Sequence, residues 1–167
     1  YIAFRCEKKP GDRLRKTVTT RDGVVWGDDE VEVFLNPQGD GGDYYQFIVN
    51  SLGTRYDSHG TDAGWNADWR AAARDERDAW TVEMAIPIAG LPLDLTVGKT
   101  WRANLGRGDK AAGQASSWSC TLGRFHAPGR FGVLEDLPLN LAPFYEKDAR
   151  ARVSAVRKAY RSTAAGL

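Results

Sequence analysis

Cysteine, methionine and histidine are scarce in this sequence, which has two, one and two of them among 167 residues. The cysteines, Cys6 and Cys120, fit neither a C-x-x-C metal motif nor a disulfide framework. Cysteine is among the residues most often buried, so we expect two buried free thiols, with a disulfide as the alternative if the protein is exported. A cysteine-based metal motif is therefore not expected.

An excess of charge and a long apolar run are also missing. The formal net charge is +1 and the isoelectric point is about 8.0, which is too balanced to predict attraction to nucleic acid or to an acidic membrane surface. No apolar run approaches the roughly 20 residues that a membrane-spanning helix needs. We therefore expect neither a nucleic-acid partner nor a membrane span.

Helical patterns are missing before Pro138, where short runs with period-two alternation lie between turns rich in Gly, Asp and Asn. This arrangement predicts an all-β fold, an antiparallel β-sandwich of immunoglobulin-like or jelly-roll-like type, and argues against parallel βαβ units. The predicted strands are residues 1–7, 30–36, 44–52, 69–73, 79–86, 100–107, 116–119 and 131–137.

One helical pattern follows Pro138. Apolar residues recur at helical spacing within 144–163 and basic residues fill the remainder, which predicts a C-terminal amphipathic helix. We therefore expect a sandwich domain at 1–137 and a helical extension or linker at 138–167. Docking to a membrane or a partner is the alternative role of this helix. Its apolar face would comprise Tyr145, Ala149, Val153, Val156 and Tyr160.

Two neighbouring predicted strands alternate in the same way. In 30–36, the side chains of Val31, Val33 and Leu35 share one face. The strand at 44–52 follows across a glycine-rich connection and also alternates. The pattern predicts a hairpin whose apolar faces enter the core.

The opposite face of this hairpin carries Glu32, Gln46 and Asn50, with Trp26 nearby in the sequence. Sugars have apolar C–H faces that stack on aromatic rings, and hydroxyls that need donors and acceptors at fixed positions. A carboxylate, two amides and an indole meet both needs, so we predict a carbohydrate-binding face. The alternative is that these polar side chains merely solvate an exposed sheet.

Six stretches of the sequence, in this order, resemble the family 9 carbohydrate-binding modules: YIAFRCE, WGDDEVEVFLN, GDYYQFIVN, WTVEMAIP, SSWS and FHAPGRFGVL. The resemblance spans residues 1–137 and implies a β-sandwich attached to or associated with a secreted glycoside hydrolase that attacks polysaccharide such as cellulose or xylan. It implies a mono-, oligo- or polysaccharide ligand and an extracellular or periplasmic location. The opening strands of the family are absent, as expected of a cut made inside a longer protein.

The resemblance also assigns roles to individual residues. In that family the sugar lies between two aromatic platforms, and Trp26 matches the first of them. Glu32, six residues later, matches a sugar-binding glutamate, and Asn50 matches an asparagine that ends the second strand. Phe125 occupies the place of the second platform, a tryptophan in the family, and offers less stacking area and no N–H donor.

The sequence departs from the family at two polar positions. Ile48 replaces an arginine, and a glutamine is replaced near Gly106. Two hydrogen-bonding partners of the sugar are therefore missing. A second hypothesis is a structural or interaction sandwich in which the sugar site has decayed.

A calcium site is a further candidate. The loop at 36–43 contains Asp40 and Asp43 among glycines, and oxygen-rich loops of this kind can hold calcium, as members of the family do. A plain turn is the alternative, because the full EF-hand pattern is missing.

The six tryptophans have different expected roles. Trp69, with Trp65 before it, extends the sugar platform or closes a loop over the core. We expect Trp80 and Trp101 in the core, and Trp118 fits either place.

A catalytic function has little support in the sequence. A glycoside hydrolase needs two carboxylates across a cleft, and nothing pairs Glu32 with Glu83, which lies on a separate strand. His59 and His126 have no Ser or Cys partner in a nucleophile motif. We therefore predict a non-catalytic module.

Haem binding in a related extracellular redox sandwich is the least favoured alternative. It needs a methionine and a histidine as axial ligands. The single methionine, Met84, falls with Trp80 on the predicted core face, so no haem is expected.

Overall fold

The computed structural model of the chain describes residues 1–9, 11–93 and 98–137, together with residues 146, 150–151 and 153–155. The chain separates into two compact units, Tyr1–Leu137 and Pro138–Leu167. The described part of the first unit contains nine strands. They are β1 (Ile2–Glu7), β2 (Glu30–Asn36), β3 (Tyr45–Asn50), β4 (Arg55–His59), β5 (Arg70–Asp75), β6 (Ala79–Ala85), β7 (Trp101–Asp109), β8 (Gln114–Ser117) and β9 (Gly132–Leu134).

The strands form two antiparallel sheets. A three-stranded sheet has the order β1-β6-β5, and a six-stranded sheet has the order β4-β3-β2-β7-β8 with β9 paired to β7. Every pairing between these strands is antiparallel. The predicted all-β antiparallel sandwich is therefore confirmed.

The core follows from period-two alternation in both sheets. Val31, Val33 and Leu35 of β2 stand opposite Val49, Phe47 and Tyr45 of β3, and directly opposed residues project from the same side of a sheet. We call this side of the six-stranded sheet the core face. Trp80, Val82 and Met84 of β6 are buried as well, as is Trp101 of β7. Each large apolar side chain buried in this way contributes roughly 1.5–3 kcal/mol.

One strand is absent from the prediction. β4 reads RYDSH, which has no apolar alternation, yet its central residues Tyr56, Asp57 and Ser58 are buried. Buried polar side chains are tolerated when they are hydrogen-bonded, and Asp57 accepts bonds from three partners. Hydropathy therefore could not reveal this strand. Two of the predicted strands are shorter than expected: 44–52 is reduced to β3 and 131–137 to β9.

The two cysteines differ in exposure. Both are free thiols, Cys6 buried and Cys120 exposed, so the expectation of two buried thiols is right for the first and wrong for the second. Burial raises the pKa of the Cys6 thiol to about 11, although the charge of Arg107 lowers it. A thiol that stays protonated is a poor nucleophile.

The second unit is described at few positions. Residues 146, 150–151 and 153–155 are helical, in agreement with the predicted C-terminal helix, and the remainder of 144–163 lies outside the described residues. Glu146 and Arg150 form an ion pair at 3.9 Å with the i, i+4 spacing of a helix. The described residues contain no helix that is long and apolar enough to cross a membrane.

Candidate functional site

The site lies on the side of the six-stranded sheet opposite the core face, which we call the carboxylate face. The strand register aligns one residue from each of five strands in a row, with Glu32 at its centre. Directly opposed positions share a face. We call this row the Glu32 row, and it comprises Tyr56, Ile48, Glu32, Gly106 and Ser117.

Two aromatic side chains cover the Glu32 row on either side of Glu32. The Trp26 ring meets Tyr56 edge to face, with ring centroids 5.2 Å apart. The Phe125 ring lies over Gly106, where a Cβ atom would stand 3.0 Å from the ring. With strands about 4.8 Å apart, Tyr56 and Gly106 are separated by roughly 14 Å. Glu32 therefore lies between the two aromatics that the sequence predicts as platforms.

Trp26 belongs to a short turn that is anchored by a buried valine. The turn Val25–Gly27 buries Val25 against Ile48 and Tyr56. It leaves the Trp26 side chain partly in solvent, with 45 % of the residue exposed. An exposed aromatic on a fixed turn is a suitable contact for a flat apolar ligand surface.

Asn50 holds the segment that carries Trp26. Its Nδ2 donates to the Val18 carbonyl at 2.8 Å and to Asp28 Oδ2 at 3.0 Å. Its Oδ1 accepts from the backbone N–H groups of Leu52 at 3.1 Å and Thr54 at 2.8 Å. Asn50 is fully buried and its polar atoms are engaged. The prediction that Asn50 hydrogen-bonds a sugar is therefore wrong, and its role is to position the Trp26 turn.

Asp28 completes this support. Its carboxylate accepts from the backbone N–H groups of Thr17 and Val18, both at 2.8 Å, and from the Thr17 hydroxyl at 2.8 Å. Burial raises the pKa of the Asp28 carboxyl, but the hydrogen bonds from Val18, Thr17 and Asn50 outweigh it and leave the pKa below its usual value. Asp28 is thus ionised and committed to the fold.

Glu32 and Gln46 form a hydrogen-bonded pair on the carboxylate face. Gln46 Nε2 donates to Glu32 Oε2 at 2.6 Å, and Gln46 Oε1 accepts from the Ser58 hydroxyl at 3.3 Å. Glu32 is only 6 % exposed, so the alternative in which these polar side chains merely solvate an exposed sheet does not hold for Glu32. Burial raises the pKa of Glu32 to about 7, against the opposing effects of the Gln46 hydrogen bond and the Lys110 charge.

Glu30 is a second carboxyl on the same face, two residues before Glu32. It is 2 % exposed, and its Oε2 has no hydrogen-bond partner within the described residues. Its Oε1 occupies the space above Gly108, where a Cβ would come within 2.2 Å. Burial and then the Glu32 charge raise the pKa of Glu30 to about 8, while Lys110 lowers it. The sequence analysis did not select Glu30 as a site residue.

Tyr44 and His126 form the rim of the face near Phe125. The Tyr44 hydroxyl and His126 Nδ1 are 2.7 Å apart. Phe34 contacts Tyr44, Phe125 and His126, with ring centroids 5.9, 6.3 and 5.5 Å apart. Burial lowers the pKa of His126, which favours the neutral ring. Tyr44 belongs to the polar face of the predicted hairpin, whereas His126 lies in a loop and is placed here by tertiary structure.

Trp69 lies inside the sandwich. Only 1 % of it is exposed, and its Nε1 donates to Asp57 Oδ1 at 3.0 Å. Asp57 stands opposite Phe47 on the core face, so Trp69 is on the other side of the sheet from Glu32. This corrects the prediction of Trp69 as part of the sugar platform.

The other uncertain tryptophans are also away from the Glu32 row. Trp118 is 54 % exposed and packs over Gly132, which is paired with the core-face residue Ala103. Trp65 contacts Tyr45 and His59, with ring centroids 5.1 and 5.9 Å apart. Both therefore lie on the core-face side.

The carboxylates of the glycine-rich loop already have protein partners. Asp40 Oδ1 accepts from Asn36 Nδ2 at 3.0 Å and from the Gly42 N–H at 2.8 Å. Asp43 Oδ2 lies 2.9 Å from His59 Nε2. In the part of the chain that the structure describes, no three His, Cys, Asp or Glu side chains are grouped to hold a metal ion. Calcium binding by Asp40 and Asp43 stays a prediction.

Comparison with known proteins identifies the fold. A solved structure from Bacteroides uniformis, described as a "putative carbohydrate-binding protein", is similar with a TM-score of 0.62 and 25 % sequence identity. The similarity covers 79 % of this chain and 70 % of that one. No protein-family model matches the sequence, and no curated protein matches it. The chain therefore belongs to the class of all-β sandwiches and shares its fold with this structure.

Replacing Glu30 by glutamine is expected to raise the melting temperature at pH 8 and to change it little at pH 4. The pKa of this carboxyl is raised from 4.5 to about 8 on folding. The folded state therefore binds this proton more tightly than the unfolded state, and the resulting stability is fully present below pH 4.5 and is lost as the pH rises toward 8. Glutamine resembles the protonated acid and removes that loss. We expect a gain of at least about 3 °C at pH 8, the effect of about 1 kcal/mol at this size.

The melting temperatures at pH 4 and pH 8 are measured by thermal unfolding, with circular dichroism as the signal. Glu83→Gln is the matched control, because Glu83 is exposed on β6. An equal shift for Glu30→Gln at both pH values would contradict the assignment.

Proposed function

We propose that this protein is a non-catalytic carbohydrate-binding module. A pyranose ring would stack on Trp26 and Phe125, and its hydroxyls would hydrogen-bond Glu32 and Gln46. Stacking uses the apolar C–H face of the ring, while the buried polar pair fixes its orientation. The similarity to a structure described as carbohydrate-binding supports the proposal.

The observation that carries the proposal is the position of Glu32. One buried carboxylate with an amide partner at 2.6 Å lies between two aromatic side chains that cover the same row of the sheet. Ligand sites generally combine apolar walls with a few polar groups that converge. Asp28 supports the Trp26 turn, Glu83 is on the other sheet and Glu30 lies on the same strand as Glu32, so none of these three carboxyls stands opposite Glu32 across a cleft.

A finer assignment follows from the sequence resemblance. We propose that the module is a divergent member of family 9 and directs an attached or associated glycoside hydrolase to polysaccharide such as cellulose or xylan. Its place of action would be extracellular or periplasmic. Calcium at Asp40 and Asp43 would be structural.

One observation favours the second hypothesis, a structural or interaction sandwich with a decayed sugar site. Ile48 and Gly106 are the two cross-strand neighbours of Glu32, and neither can donate a side-chain hydrogen bond to a hydroxyl. Fewer polar contacts lower affinity, since each contributes only about 0.5–1.5 kcal/mol net.

Calorimetric titration with glucose, cellobiose, xylobiose and xylan fragments tests the proposal. We expect dissociation constants between about 1 μM and 1 mM, or roughly −8 to −4 kcal/mol. Parallel titrations in the presence of calcium and of a chelator test whether sugar binding depends on calcium. Absence of heat across the panel from a folded protein would overturn sugar binding and favour an interaction role.

A further inference from the structure

Glu30 and Glu32 form a pair of buried carboxyls that share one nearby cation, Lys110, whose Nζ lies with Glu30 Oε1 above Gly108. They stand two residues apart on one strand, so their Cα atoms are roughly 6.6 Å apart and both side chains project from the carboxylate face. Among the described residues, no Lys or Arg nitrogen lies within the 4.0 Å of an ion pair to either glutamate. Burying a carboxylate without a cation is costly.

The hydrogen bonds of the pair are incomplete as well. Gln46 occupies Glu32 Oε2, and the Gly108 backbone hydrogen-bonds Glu30. Glu30 Oε2 remains buried without a partner in the described part of the chain. A hydrogen bond donated to such a buried acceptor would be stabilising.

The charges around the pair leave it acidic. Lys110 is the cation whose charge acts on both glutamates. Asp29 adds negative charge that raises the pKa of Glu30, and its Oδ1 accepts the Lys110 backbone N–H at 2.9 Å. His126, at the other end of the face, has its pKa lowered by burial. Three carboxyl groups, those of Asp29, Glu30 and Glu32, are thus matched by the charge of one lysine.

The cross-strand neighbours of the two glutamates on β7 and β8 cannot neutralise their charge. Gly106 and Gly108 occupy the adjacent positions on β7, and Ala115 and Ser117 of β8 continue the same two rows. None of these side chains carries charge. A ligand group that reached the carboxyls over β7 would have to move the Phe125 ring above Gly106, or the Glu30 carboxyl and Lys110 Nζ above Gly108.

We infer that the sugar bound at the Glu32 row carries a positively charged amino group, as in a glucosamine-type residue, with the ammonium placed against Glu32 and Glu30. This inference rests on the proposed carbohydrate-binding function. An ammonium supplies both the charge and up to three N–H donors that the pair lacks. Charge-assisted hydrogen bonds are about twice as strong as neutral ones. A neutral hydroxyl supplies a donor but leaves the charge uncompensated.

Titration of the intact chain at pH 7 with glucosamine, N-acetylglucosamine and glucose tests this. The first two sugars differ only in whether the amine is charged or acetylated. We expect glucosamine to bind at least about tenfold more tightly than either neutral sugar, which is about 1.4 kcal/mol. The same ordering should hold for chitosan oligomers against chitin oligomers.

Two further arms tie the preference to the buried pair. Glu32→Gln should bring the ratio of the glucosamine and glucose affinities close to one, whereas Glu83→Gln on the other sheet should keep it. At pH 5 the preference should vanish, because burial raises the pKa of Glu32 to about 7 and of Glu30 to about 8. Exposed carboxylates would still be ionised at that pH and would keep the preference.

The outcomes separate the two proposals. Equal binding of glucosamine and glucose would overturn the inference and leave carbohydrate binding in place. Retention of the preference in Glu32→Gln, or at pH 5, would also overturn it. No binding of any sugar by the folded protein would overturn both.

Discussion

Replacing Asp57 by alanine is expected to lower the free energy of unfolding by about 3–5 kcal/mol, because two buried donors lose their acceptor at about 1–3 kcal/mol each and the ion pair with the partly exposed Arg21 is lost. Asp57 is fully buried in β4. Its carboxylate accepts from Arg21 Nη2 at 2.8 Å, from the Ala67 N–H at 2.6 Å and from Trp69 Nε1 at 3.0 Å. Alanine would leave the Ala67 N–H and the Trp69 indole N–H without this acceptor, and would leave Arg21 Nη2 with the Ala67 carbonyl alone.

This effect would be large because the cluster joins distant parts of the chain. Arg21 precedes the Trp26 turn, Asp57 belongs to β4, and Ala67 and Trp69 precede β5. Arg55 adds to it by donating to the Trp69 carbonyl and by lying 5.6 Å from the Trp69 ring. Losing the carboxylate would therefore loosen three segments at once.

Urea unfolding at pH 7 measures this change, with Asp68→Ala as the matched control. Asp68 is an exposed aspartate between Ala67 and Trp69, and surface substitutions of this kind usually cost less than about 0.5 kcal/mol. Should Asp57→Ala fail to fold, Asp57→Asn keeps one acceptor oxygen and is expected to be intermediate. A decrease of less than about 1 kcal/mol in the free energy of unfolding of Asp57→Ala would contradict the proposed role of these hydrogen bonds in stability.

Replacing Trp26 by alanine is expected to weaken sugar binding at least about tenfold, or about 1.4 kcal/mol, while the fold stays intact. The ring is partly exposed at the Tyr56 end of the Glu32 row, and the turn is held by Val25, Asp28 and Asn50 rather than by the indole. Stacking area would disappear without a buried group losing its partner. We expect the melting temperature to move by less than about 3 °C.

The measurement is calorimetric titration with whichever sugar of the panel binds most tightly. Trp118→Ala is the matched control, because Trp118 is also an exposed tryptophan, at 54 % against 45 % for Trp26, and lies on the opposite side of the six-stranded sheet. Equal affinity losses in both variants would point to a general effect of removing surface tryptophan. Unchanged affinity in Trp26→Ala would remove this residue from the site.

The carboxylate face also illustrates a cost in stability. Burying Glu30 and Glu32 together raises the pKa of each, and the pair opposes folding as the pH rises. Natural proteins often tolerate such a loss at binding sites, where activity depends on groups that a more stable design would omit. The expected stabilisation by Glu30→Gln and the expected loss of ligand preference in Glu32→Gln would be two consequences of the same arrangement.

Much of the site could be predicted from the sequence because β2 and β3 have clear alternation. A period of two assigns Val31 and Val33 to one face and Glu32 to the other, whatever the rest of the chain does. The glycine-rich connection joins the strands in the expected hairpin. The resemblance then placed Trp26 and Phe125, and the structure brings both to the row of Glu32.

Other residues could not be placed in this way, because alternation does not say what covers the outer face of a sheet. Val18 and Val25 pack in one cluster with Ile48. Asn50 is a structural residue because it hydrogen-bonds the Val18 carbonyl and Asp28 of the same loop. Strand β4 could not be predicted from alternation, because its buried Asp57 accepts hydrogen bonds from partners that lie 36, 10 and 12 residues away in the sequence. The position of Trp69 could not be predicted either, because it depends on the hydrogen bond that its indole donates to Asp57.

The sequence by itself determined the all-β class, the β2–β3 hairpin and the side of the sheet on which Glu32 projects, because each depends on local alternation and turn chemistry. The tertiary structure alone decided that this side is covered, that Glu30 joins Glu32 as a buried pair and that Trp69 belongs to the core. Burial, unmatched charge and raised pKa values arise from contacts between segments far apart in the chain, and it is these contacts that turn a polar strand face into a candidate binding site.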